Sequence, residues 1–149
     1  MTNELKKQIE TIMIKMKELD AVYHAAALKS GIPYGELCVW SAMINEEQEY
    51  SQQELAELLS FPIQTINSII TNLKKRELVY LEHVPGSRNK KVIRLTEKGK
   101  EYGKDKVEWI LKAEQKAIEE ADIEEVRVCI SMLGKYILSL RKQLDETEK

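Results

Sequence analysis

The stretch SQQELAELLSFPIQTINSIITNLKKRELVYLEHVPGSRNKKVIRLT, Ser51 to Thr96, decides the fold. It opens with the grammar of a helix start. Ser51 and Glu54 have capping-box spacing, in which each side chain satisfies the other residue's free backbone N–H. Tyr50 and Leu55 fall where a hydrophobic staple closes the first turn. Leu55, Leu58 and Leu59 give the helix a buried side. It must stop by Phe61, because Pro62 has no N–H and disfavours a helical residue before it. Pro62 in turn makes a sound first residue for a second helix. There Ile66, Ile69, Ile70 and Leu73 share one face, while Gln64, Ser68, Thr71 and Lys75 centre the opposite one, flanked by Thr65, Asn67 and Asn72. Two helices joined by about three residues, the second polar on its outer side, form a helix-turn-helix.

Beyond Arg76 the period changes from helical to extended. Leu78–Val84 is rich in β-formers, Pro85-Gly86-Ser87 is a turn, and Lys91–Leu95 is a return strand. Arg88, Lys90 and Lys91 sit at the tip. A basic hairpin directly after a helix-turn-helix is a wing.

Working outward, Leu5, Ile9, Ile12, Met16, Leu19, Tyr23 and Ala26 recur at steps of four and three, a narrow helical seam ending near Ser30-Gly31. A second apolar helix follows Pro33 through Leu37, Val39, Trp40, Met43 and Ile44, and Asn45–Glu49 is a polar, acidic loop. On the other side, Thr96 caps a helix running to about Glu120 that carries Tyr102, Val107, Trp109, Ile110, Leu111 and Ile118. Asp122 caps the last helix, with Ile123, Val126, Ile130, Leu133, Ile137, Leu140 and Leu144 in one stripe. The fold class is mainly α with a small β-wing, in one domain. Residues 31–96 form the winged helix-turn-helix lobe, 97–121 a connecting helix, and 1–30 and 122–149 the dimerisation helices. The terminal stripes are too long to be consumed by a small winged lobe, so the expected state is a homodimer; the alternative is a monomer with a long helical hairpin.

Charge sharpens this picture. Net charge is −2 over 149 residues, but residues 71–104 carry 10 Lys/Arg against 4 Asp/Glu, while residues 1–70 carry 5 against 10 and residues 105–149 carry 8 against 11. A nucleic-acid footprint is judged by local charge. The other reading of this segment is an ordinary solvated face. The apolar runs fall far short of the roughly 20 residues of a membrane span, and no secretion signal opens the chain, so a cytoplasmic protein is expected. Cys38 and Cys129 match no metal spacing, and His24 and His83 form no helical pair; no metal or cofactor is expected. The chain has no Gly-rich phosphate loop and no Ser/His/Asp or Cys/His constellation, so it is not expected to be an enzyme.

Several motifs resemble the MarR-type transcriptional regulators, the multiple antibiotic resistance regulator family. They are Gly31-Ile32-Pro33, the Ser-Gln-Gln-Glu-Leu-Ala start at Ser51, Thr65-Ile66-Asn67-Ser68-Ile69-Ile70, and Leu95-Thr96-Glu97-Lys98-Gly99 after the wing. The resemblance covers nearly the whole chain and rests on the order and spacing of these motifs together. It implies a dimer on a near-palindromic operator, usually a repressor, often relieved by a small ligand or thiol oxidation. The chain departs from the family at Ser68, where Arg is common, at Ser87, where Asp usually precedes the wing arginine, and at Glu77, where glycine often ends the recognition helix. A left-handed Glu77 would cost roughly 1 kcal/mol.

Base reading needs short or bidentate polar side chains on the outward face, and Gln or Asn can make paired contacts to adenine. Gln64 and Asn67 are the leading candidates, then Thr65, Ser68 and Asn72; each could instead be solvated helix surface or a phosphate contact. Arg88 is expected in the minor groove, with Lys90 and Lys91 on phosphate. Lys74, Lys75 and Arg76 either contact phosphate or complement the helix dipole. Tyr23, His24, Tyr34, Trp40 and Trp109 are candidates for lining a crevice for a small aromatic effector, or else they pack the core. Cys38 and Cys129 read as structural thiols. The contrasting functional reading is a winged-helix protein-interaction module without its own operator.

Overall fold

The computed structural model describes residues 2–45 and 47–148. Along the chain it contains α1 (Asn3–Ser30), α2 (Tyr34–Met43), α3 (Gln52–Leu59), α4 (Ile63–Lys75), β1 (Val79–His83), β2 (Lys91–Leu95), α5 (Glu97–Glu119) and α6 (Ile123–Glu146). The expected fold class, mainly helical with a two-stranded wing, is the observed one. Two compact units divide the chain, residues 1–109 and 110–149.

In the first unit, α1 is capped by Thr2 and ends at Gly31 in the left-handed conformation, φ 71°, where a side chain would be strained. Ser51 caps α3 as its spacing predicts, its Oγ accepting from Glu54 N–H at 3.1 Å. The helix closes at Ser60, which is also left-handed at φ 55°. Its orphan carbonyls are taken up by Ser60 and Phe61 N–H groups, and the chain is then free to turn at Pro62. Pro62 stands one position earlier than expected. It is the N-cap of α4, extended at ψ 141°, and its carbonyl accepts from Thr65 and Ile66 N–H. Proline serves there because the fixed φ suits either position and no N–H is needed.

The inward face of α4 is the one the period predicts. Ile66, Ile70 and Leu73 are completely buried with Leu55, Leu78, Val39, Trp40 and Val107, and each such aliphatic burial contributes about 1.5–3 kcal/mol. The wing is a regular antiparallel ladder pairing Val79 with Leu95 and His83 with Lys91. It is one residue shorter at each end than the run of β-formers. Leu78 donates its N–H back to Leu73 to close α4, so the ladder starts at Val79. Tyr50 accepts from Ile93 N–H at 2.8 Å, tying the segment before α3 to the wing.

Thr96 starts α5 by accepting from Gly99 N–H at 2.9 Å while donating to the Glu77 carbonyl at 2.7 Å. Gly99 is required by close approach: a Cβ there would lie 1.8 Å from the Leu78 carbonyl oxygen. Gly103 leaves room for the Trp40 ring in the same way.

In the second unit, Asp122 caps α6 through Glu124 and Glu125 N–H groups. No residue of α6 is buried. Ile130, Ile137, Leu140 and Leu144 of its stripe lie exposed, as do Leu5, Met16 and Leu19 of α1. No helix among the described residues is long and apolar enough to cross a membrane.

Candidate nucleic-acid interface

The outward face of α4 is built as the spacing requires. With Ile66, Ile70 and Leu73 buried in the core, the opposite side of the helix faces outward, and Gln64, Thr65, Asn67, Ser68, Thr71, Asn72, Lys74 and Lys75 all stand exposed. The first turn presents the amide of Gln64, the hydroxyl of Thr65 and the apolar Ile63, and carries no charge. The cations Lys74 and Lys75 fall in the last turn, near the negative end of the helix dipole. Asn72 is partly committed within the chain, its Oδ1 accepting from Arg76 Nη1 at 3.0 Å.

The wing tip spans Val84 to Lys90 and is closed by its own hydrogen bonds. Val84 N–H donates to the Lys90 carbonyl at 2.8 Å, and Ser87 N–H to the Val84 carbonyl at 3.2 Å. Ser87 Oγ accepts from Lys90 N–H at 3.0 Å, so this serine, where the resembling family carries Asp, holds the turn through its hydroxyl. Gly86 supplies the positive φ of 81°. Arg88 and Lys91 are exposed, and the Arg88 carbonyl lies 3.3 Å from His83 Nε2.

The basic segment is not uniformly available to a polyanion. Arg94 is held by Glu82 at 2.7 Å and by Glu49, and these carboxylates raise its pKa further. Lys90 Nζ lies 2.7 Å from Glu54 Oε1. Arg76, expected to contact phosphate or complement the dipole, is turned inward onto Glu36 and Tyr102. The buried Glu36 carboxylate thus engages the Arg76 guanidinium within the chain. Neither partner emerged from the sequence, although Glu36 on an otherwise apolar helix signals a buried acid awaiting a cation. Lys74, Lys75, Arg88 and Lys91 have no carboxylate partner among the described residues, which makes them the available cations of the candidate interface.

Two of the five candidate effector residues meet each other. His24 and Tyr34 stack at 3.8 Å between ring centres, both tied to Asp20: His24 Nδ1 lies 2.9 Å from its carbonyl, and the Tyr34 hydroxyl donates to its carboxylate at 3.2 Å. Burial, then Cys38 and Asp20, push the Tyr34 hydroxyl above the ordinary tyrosine range. Trp40 is completely buried in the core. Trp109 donates to Ser30 Oγ at 2.9 Å beneath the Lys29 ammonium, and Tyr23 is half-buried on α1. Burial raises the Cys38 thiol, which disfavours the reactive thiolate, while Cys129 is exposed on α6. No cluster of His, Cys, Asp and Glu suited to a metal exists among the described residues.

A helix-turn-helix, a wing directly after it, and long helices on either side define a winged helix-turn-helix architecture. No family model matches the chain, and no curated protein matches its sequence. Solved structures do. A MarR family regulator from Neisseria meningitidis superposes with a TM-score of 0.83 at 18% identity, over 95% of this chain and 99% of that one. MepR from Staphylococcus aureus, in its DNA-binding conformation, gives 0.67 at 18% identity over 94% and 99%. Staphylococcus aureus MarR in complex with salicylate and kanamycin gives 0.66 at 17% identity over 97% and 96%. The chain has the MarR-type winged helix-turn-helix fold.

Proposed function

We propose that this chain is a DNA-binding transcription regulator that acts as a homodimer on a near-palindromic operator, in the manner of a repressor. The observation that carries the reading is the outward face of α4, where Gln64, Thr65, Asn67 and Ser68 stand exposed over a fully buried Ile66–Ile70–Leu73 face. Exposed amides on a rigid helix can discriminate base edges, and the cations of the wing and the helix end supply affinity through phosphate. The exposed stripes of α1 and α6 supply the dimerisation surface, because a second copy offers the same apolar faces. In the dimer the two α4 helices fall about one turn of duplex apart, on the order of 34 Å. A structural relative in complex with salicylate and kanamycin supports a small-molecule effector for this chain, with an aromatic molecule like salicylate suited to the His24–Tyr34 stack as its candidate contact.

The test is a titration against duplex DNA from upstream of the chain's own gene, at two salt concentrations. The expected result is a sequence-preferring complex that weakens steeply with salt, since neutralised phosphates release counterions. No complex at low salt would overturn the regulator and leave the protein-interaction module in its place.

A further inference from the structure

A buried carboxylate lies where three helices meet, and nothing in base reading or phosphate contact requires it. Glu36 of α2 is only 7% exposed. It accepts from Trp40 Nε1 at 3.1 Å, from Arg76 Nη1 at 3.3 Å to each oxygen, and from the Tyr102 hydroxyl of α5 at 3.4 Å. Arg76 Nη2 donates to that same hydroxyl at 2.6 Å, and its guanidinium carbon lies 4.9 Å from the Tyr102 ring centre. Each polar atom thus has a consistent donor or acceptor role, and the triangle is closed.

Arg76 is the C-cap residue of α4. Burial opposes its charge, but the Glu36 carboxylate and the Tyr102 hydroxyl more than restore it. A buried carboxylate without its cation is strongly unfavourable, so Glu36 holds the guanidinium in one place. Arg76 reaches that place only if the end of α4 keeps one rotation, because each residue turns a helix by about 100°. The guanidinium also steadies the reading face, through Asn72 Oδ1.

We propose that Glu36, Arg76 and Tyr102 form a positioning clamp that fixes the rotation of α4 about its own axis and so selects which polar side chains face the duplex. Arg76 is a positioning residue in this scheme and touches no phosphate. The consequence for DNA rests on the regulator reading above; the clamp itself does not.

Two variants test it. Tyr102→Phe removes one hydroxyl and keeps the ring, and Glu36→Gln combined with Arg76→Gln removes both charges so that neither is orphaned. In each, hydrogen exchange of the amides from Asn72 to Arg76 should accelerate by about tenfold or more, with α3 unchanged. Affinity for the preferred duplex should fall by about fivefold or more while affinity for random duplex stays within about twofold. The slope of affinity against salt should not change, because no phosphate contact is lost. Equal losses on both duplexes, with a slope shallower by about one in the Arg76 variant, would make Arg76 a phosphate ligand and overturn the clamp. Unaltered exchange in the folded variants overturns it as well. If the unaltered chain binds no duplex, the regulator reading fails, and the exchange rates still decide the clamp.

Discussion

The ammonium of Lys90 lies 2.7 Å from Oε1 of Glu54, joining the wing to the first turn of α3. Glu54 also accepts from the Ser51 hydroxyl at 3.2 Å and from the Ser51 backbone N–H, so one carboxylate completes the capping box and anchors the wing. The hydrogen bond from Lys90, helped by lesser ones from Ser51, outweighs the burial penalty and holds the Glu54 carboxyl below its ordinary value of 4.5. A depressed folded-state pKa stabilises above the unfolded value and loses that contribution as pH falls through the folded one. Glu54→Gln should therefore flatten the loss of stability below about pH 4.5, followed as a denaturation midpoint across acid pH. Both partners are well exposed, so the difference at neutral pH should stay near 0.5 kcal/mol.

The same pair makes a prediction on DNA. Under the proposed function Glu54 competes with phosphate for Lys90, and Glu54→Gln removes the competitor. Anisotropy titrations in a salt series should show tighter low-salt binding and a slope steeper by about one. An unchanged slope would mean that Lys90 never reaches the backbone.

Glu77 closes α4 in the left-handed conformation at φ 60°, its N–H donating to the Lys74 carbonyl at 2.9 Å. A residue with a Cβ is strained there, and glycine is not. Glu77→Gly should raise stability by about 0.5–1 kcal/mol, read as a higher denaturant midpoint at constant m. Gly31 provides the reverse case. Its φ is 71° with open space around the missing Cβ, so Gly31→Ala should cost about 1 kcal/mol from backbone strain alone.

Local rules carried most of the fold. Ser51, Thr96 and Asp122 cap the helices that their side chains announce, and the 3.6-residue period of α4 separates Ile66, Ile70 and Leu73 from Gln64 and Ser68 without ambiguity. The polar face was legible because it lies opposite the buried one on the same helix. The fate of the charges was not. Arg76 and Glu36 are 40 positions apart and Lys90 and Glu54 are on separate elements, so no periodicity brings them together. Counting the cations of residues 71–104 therefore overstated the charge facing outward. The left-handed Ser60 has no local sequence signal, because its conformation is imposed by how α3 must hand over to Pro62.

Gly99 and Gly103 separate two kinds of close approach. A methyl group at Gly99 would meet the Leu78 backbone oxygen at 1.8 Å, whereas at Gly103 it would meet the Trp40 ring at 2.7 Å. Backbone within a closed cap cannot yield, and a ring can shift slightly. Gly99→Ala should cost more than about 3 kcal/mol and prevent the cap at Thr96 from closing, while Gly103→Ala should cost about 1–3 kcal/mol. Thermal unfolding of the two variants should preserve that order.

The division of labour across the interface gives a final pair of measurements. Arg88 is exposed at the wing tip with no carboxylate partner among the described residues, so its charge is available to phosphate or to a narrow minor groove. Gln64 stands in the first turn of α4, where side chains of a docked recognition helix reach base edges. Arg88→Ala should weaken binding to preferred and random duplex alike and reduce the salt slope by about one. Gln64→Ala should leave the slope and the random-duplex affinity alone while removing about 1–3 kcal/mol of discrimination. The reason for the asymmetry is physical: a counterion is released by any phosphate, but an amide pair is satisfied by one base edge and left unpaired by the others. Competition titrations with both duplexes at two salt concentrations distinguish the roles, and matched losses for the two variants would show that the face of α4 reads no bases.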